Sequence, residues 1–440
     1  MINSLIPHRW PADYLHSPLF TLRVNGQPVE CLAMNVAHYA SFEFTGTVEV
    51  ELTATVPLQS LEIKPLSRKI AGQVDGNRVV FTLSKPEHLC IEAAGLPSFF
   101  LYALPPEANT PDLTAPGVRT FAPGQIHEAG EIILESGQTL YIPAGAVVHG
   151  VVVSTNTENV RICGYGILDG TAFRASKGWG RMIRFEKCRN FQINDLLVSN
   201  TCGWTITTLH CQHVSITGFR LLGEMIGGDG IDIVASQHVR VDNCCIRAND
   251  DCLVVKAFDI NWRKLVPSRV PHTDLPVEDV VFTRCVLWND RAGNAIEIGH
   301  ELINKDIHNV IFRDIDVLCV HGHGAAFSIN NAGHSSVHDI LFEDIRVDHY
   351  YEFLLAFRIR ESRWSHGAGR GHIHDITLRN IKVNEGVFNP GYSISVIGGW
   401  SPEHKVERVT IENLTFNDRK ILDYDTMDLY VKHASDIVLK

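Results

Sequence analysis

The sequence predicts an all-β protein in which a small β-sandwich precedes a parallel β-helix. The 440 residues include 34 glycines and 45% hydrophobic residues, and they lack the long Ala/Glu/Lys blocks that are typical of helices. Short alternating runs separated by turn residues fill the first hundred residues. One short strand pattern then recurs along the rest of the chain. Together these observations favour strands throughout.

The region 18–103 carries the alternating runs. Phe20–Val24 precedes an Asn-Gly turn, Val48–Leu52 alternates strictly, and Val79–Leu83 follows an Asp-Gly-Asn turn. Such spacing predicts a small antiparallel β-sandwich. Five prolines between Pro105 and Pro123 then indicate a linker or wrapping segment. We therefore place an N-terminal β-sandwich domain with its proline-rich linker at 1–122 and a β-helix domain at 123–440.

The repeated pattern is a polar turn residue followed by apolar–x–apolar, as in Asn190-Phe-Gln-Ile193 and His213-Val-Ser-Ile216. Its first apolar positions lie from 23 residues (191 to 214) to 41 residues (239 to 280) apart. Periods of 20–50 residues indicate a solenoid. A leucine-rich repeat is the competing solenoid, but its leucine signature is missing. A sandwich would not keep one phase over ten repeats, so we expect a parallel β-helix.

Charge and composition restrict the partners. The formal net charge is -11, which argues against a nucleic-acid or anionic-membrane surface. No basic segment followed by an apolar stretch begins the sequence, and no long apolar window suggests a membrane span. Eleven scattered cysteines without paired spacing are typical of a reduced, cytoplasmic protein, although a secreted protein trimmed of its signal would look the same. Whether the chain forms a homo-oligomer stays open.

Three aspartates carry the chemical signal. Gly228-Asp229-Gly230 and Asn249-Asp250-Asp251 place Asp229 and Asp250 21 residues apart, close to one bare coil. Side chains at matching positions of neighbouring coils stack, so three carboxylates should crowd one edge. Crowding raises the pKa of at least one carboxyl, which is the division of labour that glycoside hydrolysis requires. An isolated Asp-Gly would instead be a turn, but an Asp-Asp pair one coil later is harder to explain in that way.

The run from Gly203-Trp204 through Gly228-Asp229-Gly230 to Asn249-Asp250-Asp251-Cys252 and Lys256 resembles the glycoside hydrolase family 28 polygalacturonases. Ser136–Ala146 and Gly164–Gly170 resemble the first coils of that family. The chain is also similar to the dextranase/isopullulanase family 49, whose members carry an N-terminal β-sandwich. The resemblance implies a right-handed parallel β-helix of the pectin-lyase type.

The resemblance also implies an inverting hydrolase of a poly- or oligosaccharide. Asp250 matches the general acid, and Asp229 and Asp251 match the carboxylates that hold and activate water. Lys256 matches a sugar-contacting position, and Asp232 matches an aspartate that we interpret as structural.

Two departures put plain polygalacturonate in doubt. The coil that should carry Gly-His-Gly reads Ala292–Glu301 without a histidine at the motif position, so Asn294, Glu297 or His300 is expected to take over part of that role. The Arg-Ile-Lys that clamps galacturonate is replaced by Phe327–Asn330, which makes Asn330 a candidate contact. Arg358 and Arg360 lie one coil later. A neutral sugar, or a uronate held by these two arginines, becomes the better expectation.

Tryptophans are candidate sugar platforms: Trp204 near the carboxylates, Trp262 in the insertion 258–276, and Trp364 and Trp400 further on. No cofactor or metal is predicted. Three alternatives stay open: a dextranase-like hydrolase of a neutral glucan, a β-helix polysaccharide lyase, and a non-catalytic glycan-binding β-helix.

Overall fold

A computed structural model describes residues 4–34, 36–174, 180–258, 275–303, 306–365 and 369–440. Almost all regular structure in these ranges is β-strand, and the helical turns are the short 3-10 segments Leu66–Arg68 and Thr171–Phe173. The all-β prediction is confirmed. No helix in the described part of the chain is long and apolar enough to cross a membrane.

Two sheets that share one hydrophobic core form the N-terminal sandwich. Val48–Ala54 alternates between buried and more exposed positions, as expected of a strand with one face on a core. The first sheet contains Leu5–Pro7, Cys31–Ala33, His38–Phe44, Glu62–Lys64, Glu87–Glu92 and Phe99–Leu104. The second sheet contains Phe20–Val24, Gln27–Val29, Val48–Ala54, Gln73–Asp75 and Arg78–Leu83.

The expectation of a purely antiparallel sandwich is wrong at one pair, because Phe99–Leu104 runs parallel to His38–Phe44. Both strands are buried at every position. Their second face packs on the β-helix through a shared core that contains Tyr39 and Phe100. Burial on both faces is the usual setting of parallel strands.

The remaining strands form one continuous sheet of parallel ladders that winds as a solenoid, which confirms the β-helix. The first ladder contains Val118–Thr120, Thr139–Tyr141, Arg161–Cys163, Arg189–Asn194, Gln212–Thr217, Gln237–Asp242, Val277–Thr283 and Ala434–Leu439. The second ladder contains Ile167–Asp169, Leu197–Ser199, Arg220–Leu222, Cys245–Ala248 and Val286–Asn289. The third ladder contains Gly180–Glu186, Gly203–Leu209, Ile231–Val234, Leu253–Ala257, Ile296–Leu302, Ala325–Asn331, Phe353–Ile359, Ile394–Gly398 and Leu429–Lys432.

Some longer strands span two ladders. Ile126–Ile133 and Val147–Thr155 join the second and third ladders. Near the C-terminal end the first and second ladders merge into Ile307–Val320, Ser336–Val347, His372–Val383 and Val406–Phe416. Arg419–Lys420 folds back antiparallel on the last of these.

The polar residue of the repeated motif has a physical role. At all ten repeats it adopts a left-handed backbone conformation, with φ between 53 and 58°. Asn and Asp tolerate this conformation better than other non-glycine residues, which explains why they dominate the position. The ten residues are Asn159, Asn190, His213, His238, Asp279, Asn309, Asp339, Asp375, Arg408 and Asp436. The sequence repeat therefore marks a repeated bend in the backbone.

The sandwich covers one side of the solenoid. Its residues Trp10, Tyr39 and Phe100 share a core with Ile167 and Leu197 of the second ladder. Among the described residues, the third ladder contributes no side chain to this shared core. The division at residues 122 and 123 stays a prediction. All eleven cysteines are buried and unpaired.

Candidate active site

The three aspartates lie where the chain passes from the second to the third ladder. We refer to these connections, 223–230, 249–252, 290–295, 321–324, 348–352 and 384–393, as the leading edge. Connections that follow third-ladder strands form the trailing edge. Ile231 pairs with Leu253, which places the loop of Asp229 directly beside the loop of Asp250 and Asp251. The carboxylates of all three lie within 4.8 Å of one another.

The Gly-Asp-Gly motif allows this close stacking. The Gly230 amide donates to the Asp251 carbonyl at 2.8 Å. A Cβ at Gly230 would lie 2.3 Å from the Cys252 carbonyl oxygen, so a side chain does not fit there. A glycine after Asp229 is therefore a requirement of the neighbouring loop.

The three aspartates differ in exposure. Asp229 and Asp251 are 3% and 7% exposed, whereas Asp250 is half-buried, and all three line the same cavity. Burial and the neighbouring charges of Asp229 and Asp251 raise the pKa of Asp250 to about 8. Burial likewise raises the pKa of Asp229 and Asp251 above the usual value. At neutral pH, Asp250 therefore retains its proton.

Asp251 is tethered from the following coil. Its Oδ1 accepts hydrogen bonds from the backbone amide of Asn294 at 2.6 Å and from Asn294 Nδ2 at 2.8 Å. Asn294 Oδ1 in turn accepts from the Ala325 amide at 2.8 Å, which fixes the side chain. These donors favour the ionised form and oppose the burial that raises the pKa of Asp251.

Lys256 supplies a buried positive charge beside the aspartates. Its Nζ lies 3.2 Å from Glu301 Oε2, 3.5 Å from Asp229 Oδ2 and 3.8 Å from Asp232 Oδ1. Burial opposes its charge, but these carboxylates outweigh burial and raise the pKa of Lys256. Burial raises the pKa of Asp232 to about 7. Asp232 thus belongs to the charge network beneath the site.

Among the described residues, these three carboxylates lie close enough together to bind a metal ion. The Lys256 ammonium beside Asp229 already supplies a positive charge there. The absence of a metal or cofactor stays a prediction from the sequence.

Trp204 lies in the wall of the same cavity but is only 7% exposed. The Arg181 guanidinium and Lys256 Nζ lie 3.9 and 4.4 Å from its ring centroid. Its ring also packs with Phe258. These contacts leave little ring area for a sugar and make Trp204 a support for the two cations.

Two candidates for the role of the missing histidine, His300 and Glu297, lie at different depths below the protein surface. His300 lines the cavity, and its Nε2 lies 3.9 Å from Glu297 Oε1. Glu297 is fully buried beneath it and accepts from Asn330 Nδ2 at 3.2 Å. Burial raises the pKa of Glu297 to about 8 and lowers that of His300 to about 3, so both groups are neutral near pH 7.

Arg358 and Arg360 line the cavity beyond Asn330. Asn330 pairs with Arg358, so the arginine lies one coil further, as the spacing indicated. Arg358 packs over the Phe353 ring at 5.3 Å, and its Nε has no hydrogen-bond partner within the described ranges. Burial lowers the pKa of Arg358. This guanidinium is available for a ligand in the cavity.

The cavity has a volume of about 980 Å³ and is also lined by Arg181, Arg291, Glu301 and Arg363, which sequence reasoning missed. Arg181 pairs in register with Trp204, so counting back one coil would have found it. Glu301 lies where the pairing of Leu253–Ala257 with Ile296–Leu302 shifts register, and no spacing rule predicts that shift. Trp262 and most of the insertion 258–276 lie outside the described residues.

Comparisons with known proteins support the resemblance. The model of glycosyl hydrolases family 28 matches residues 120–266, which include the three aspartates and Lys256. A probable polygalacturonase of Arabidopsis thaliana is 25% identical over 217 residues, 49% of this chain and 36% of that protein. The chain thus spans about a third of the length of this curated relative.

Solved structures agree on the fold. Dex49A of Penicillium minioluteum matches with a TM-score of 0.68 at 13% identity, over 100% of this chain and 97% of that one. An exopolygalacturonase of Thermotoga maritima matches with a TM-score of 0.56 at 17% identity, over 68% and 79% of the two chains. The resemblances to families 28 and 49 are confirmed. Identities this low establish the fold alone.

Proposed function

We propose that this chain is an inverting glycoside hydrolase that cleaves a poly- or oligosaccharide. Asp250 acts as the general acid, and Asp229 and Asp251 hold and activate the attacking water. The observation that carries the proposal is the trio of carboxylates within 4.8 Å in the wall of one cavity, with Asp250 the most exposed of the three. The family 28 match over 120–266 supports the same assignment.

The surroundings of the trio divide the roles. Asp250 keeps its proton near neutral pH because burial and two neighbouring carboxylates raise its pKa to about 8. A protonated acid facing the cavity can donate to the oxygen of the leaving sugar. Asp251 receives two hydrogen bonds from Asn294, which favour its ionised form, and the Lys256 ammonium beside Asp229 opposes part of the rise that burial causes in the pKa of Asp229. A carboxylate can accept the proton of an attacking water.

Stereochemistry needs a direct measurement. The family resemblance implies inversion. The two catalytic carboxyl groups usually lie ~6.5–9.5 Å apart in inverting enzymes and ~5–5.5 Å apart in retaining enzymes. The distance of 4.8 Å joins single oxygen atoms of the three carboxylates, which is a different measure from the separation of two carboxyl groups and does not contradict inversion. Proton NMR of the first product anomer separates the two, because inversion yields the opposite anomer from that of the cleaved bond.

The sugar is proposed to differ from plain polygalacturonate. The place of the family clamp is occupied by Ser328 and Asn330, which are neutral. Cationic side chains return at Arg358 and Arg360, one coil further from the aspartates. A neutral glucan, as the family 49 resemblance implies, or a uronate held one position further away fits this arrangement.

Release of reducing ends from a panel of pectic, dextran-like and other oligosaccharides tests the proposal. Wild-type protein should hydrolyse at least one of them, and Asp250→Asn should retain binding but lose turnover. Full activity of Asp250→Asn would overturn the assignment. An unsaturated product that absorbs in the ultraviolet would indicate a lyase, and binding without turnover by the wild type would indicate a glycan-binding protein.

A further inference from the structure

Exposed aromatic side chains concentrate at one end of the solenoid. Six aromatic residues are among the exposed large hydrophobic side chains of the described residues, and all six belong to the last coils. They are Trp364, Phe388, Tyr392, Trp400, Tyr424 and Tyr430, between 37% and 64% exposed. The rings of Phe388 and Tyr392 adjoin, with centroids 6.4 Å apart, and a contiguous exposed apolar surface usually marks a binding site.

Four of these aromatics border the groove that holds the aspartates. Phe388 and Tyr392 lie in 384–393, a leading-edge connection four coils beyond the one that carries Asp250. At ~4.8 Å per coil, the separation along the axis is ~19 Å. Trp364 and Trp400 lie on the trailing edge, after Phe353–Ile359 and Ile394–Gly398. The aromatics therefore line both sides of the same groove.

The floor between these walls is formed by the third ladder. Ala356 pairs with Val396, and Val396 pairs with Tyr430, so one row of side chains continues from the cavity toward the last coil. Tyr430 is 64% exposed. The floor thus changes from charged residues near the aspartates to small and aromatic residues further along.

The leading-edge aromatics form one cluster that is joined to the cavity. The Tyr351 ring lies 5.7 Å from Phe388 and 5.2 Å from Tyr392, and the Tyr392 hydroxyl donates to the Tyr351 hydroxyl at 3.1 Å. The neighbouring Glu352 pairs with His323 at 3.1 Å. His323 lines the cavity, so the cluster begins where the cavity ends.

The trailing-edge tryptophans are held in place by arginines. The Arg363 guanidinium lies 4.5 Å from the Trp364 ring, and that of Arg370 lies 4.6 Å from the Trp400 ring. Arg370 also pairs with Glu361 at 3.0 Å. Trp364 itself lines the cavity. Rings fixed in this way lose little conformational freedom when a ligand binds.

We propose that Phe388, Tyr392, Trp364 and Trp400 form an aromatic tract that binds the sugar rings of a glycan extending from the aspartates toward the C-terminal coils. The inference rests on the proposed glycosidase function, because it assigns the tract to the same substrate. The C–H face of a pyranose packs on an aromatic ring, and a row of rings on two walls suits a linear chain of sugars. A second copy of this chain is the competing occupant.

Turnover as a function of chain length tests the tract. The double variant Phe388→Ala/Tyr392→Ala and the single variant Trp400→Ala should lower kcat/KM about 10-fold on long isomalto- or galacturono-oligosaccharides, which corresponds to about 1.4 kcal/mol, and leave disaccharide turnover unchanged. Tyr392→Phe retains the ring and should behave like the wild type. Leu113→Ala removes an exposed apolar side chain outside the groove and serves as the control.

Electrophoresis through gels that contain dextran or polygalacturonate separates the two proposals. Retardation of the wild type that is lost in the double variant, without turnover of any glycan, would support the tract while the hydrolase proposal fails. Turnover that the variants change equally at every chain length, or not at all, would overturn the tract. A wild-type dimer in sedimentation velocity that the double variant dissociates would assign the surface to self-association and also overturn it.

Discussion

Replacement of Asp250 by Asn should stabilise the protein while it removes activity. The buried position raises the pKa of Asp250 from 3.8 to about 8, so at pH 7 the folded state keeps protonated a group that ionises in the unfolded chain. One pKa unit corresponds to about 1.4 kcal/mol, which sets an upper limit of about 4 kcal/mol at pH 7. Because Asp250 is half-buried, solvent screening reduces this figure, and we expect about 2 kcal/mol.

The stability difference between Asp250→Asn and the wild type should depend on pH in a definite direction. Below pH 3.8, Asp250 is protonated in the folded and the unfolded chain, so Asp250→Asn should match the wild type. As the pH rises toward about 8, the unfolded chain ionises while the folded site holds its proton, and the wild type loses stability relative to the variant. Above about 8 the difference should level off.

Urea unfolding at a series of pH values measures this difference. Leu113→Ala removes an exposed apolar side chain and changes no titratable group, so its stability relative to the wild type should not vary with pH and it serves as the control. A variant that is less stable than the wild type at pH 7, or a difference that does not change with pH, would refute the reasoning.

Other predictions follow from individual contacts. Activity should fall on the alkaline side as the pH rises through about 8, since Asp250 then loses the proton that it donates; a pH–rate profile without that limb would contradict this. Asn294→Ala removes one of two donors to Asp251 and should lower kcat about 10-fold with little change in KM, whereas an unchanged kcat would argue against the tether. Gly293→Ala should lower stability and activity together, because its φ is 69° and a Cβ would lie 2.4 Å from Asp250 Oδ1; a wild-type melting temperature would contradict the packing. Arg358→Ala should weaken turnover of anionic substrates at least 10-fold and spare neutral ones, as steady-state kinetics on matched oligosaccharides would reveal.

The fold could be predicted because each coil of the solenoid requires the same residue types at the same positions. Each repeat needs a left-handed bend, so Asn or Asp recurs before apolar–x–apolar, as at Asn190 and Asp375. The placement of Asp229 beside Asp250 followed from the same regularity, since a bare coil fixes the spacing of neighbouring loops. Where the coils stay regular, sequence spacing translates directly into distance.

The remaining features depend on irregular or long-range contacts. Glu301 reaches Lys256 through a register shift, which the period does not reveal. Phe99–Leu104 pairs parallel with His38–Phe44, and the second face of these strands packs on the β-helix. The pattern of residues within each strand does not reveal this long-range packing. Trp204 was a plausible sugar platform from sequence, but its two cationic neighbours and low exposure became visible only in three dimensions.

The assignment of Asp250 as the acid is tested most directly by the dependence of kcat/KM on the leaving group. Aryl glycosides of the hydrolysed sugar, with phenols of increasing acidity, need progressively less protonation as they depart. Asp250→Asn should lose most of its activity on poor leaving groups and recover much of it on the best one, whereas Asp251→Asn should be impaired equally on all. Equal impairment of Asp250→Asn across the series, with recovery in Asp229→Asn or Asp251→Asn instead, would contradict the account.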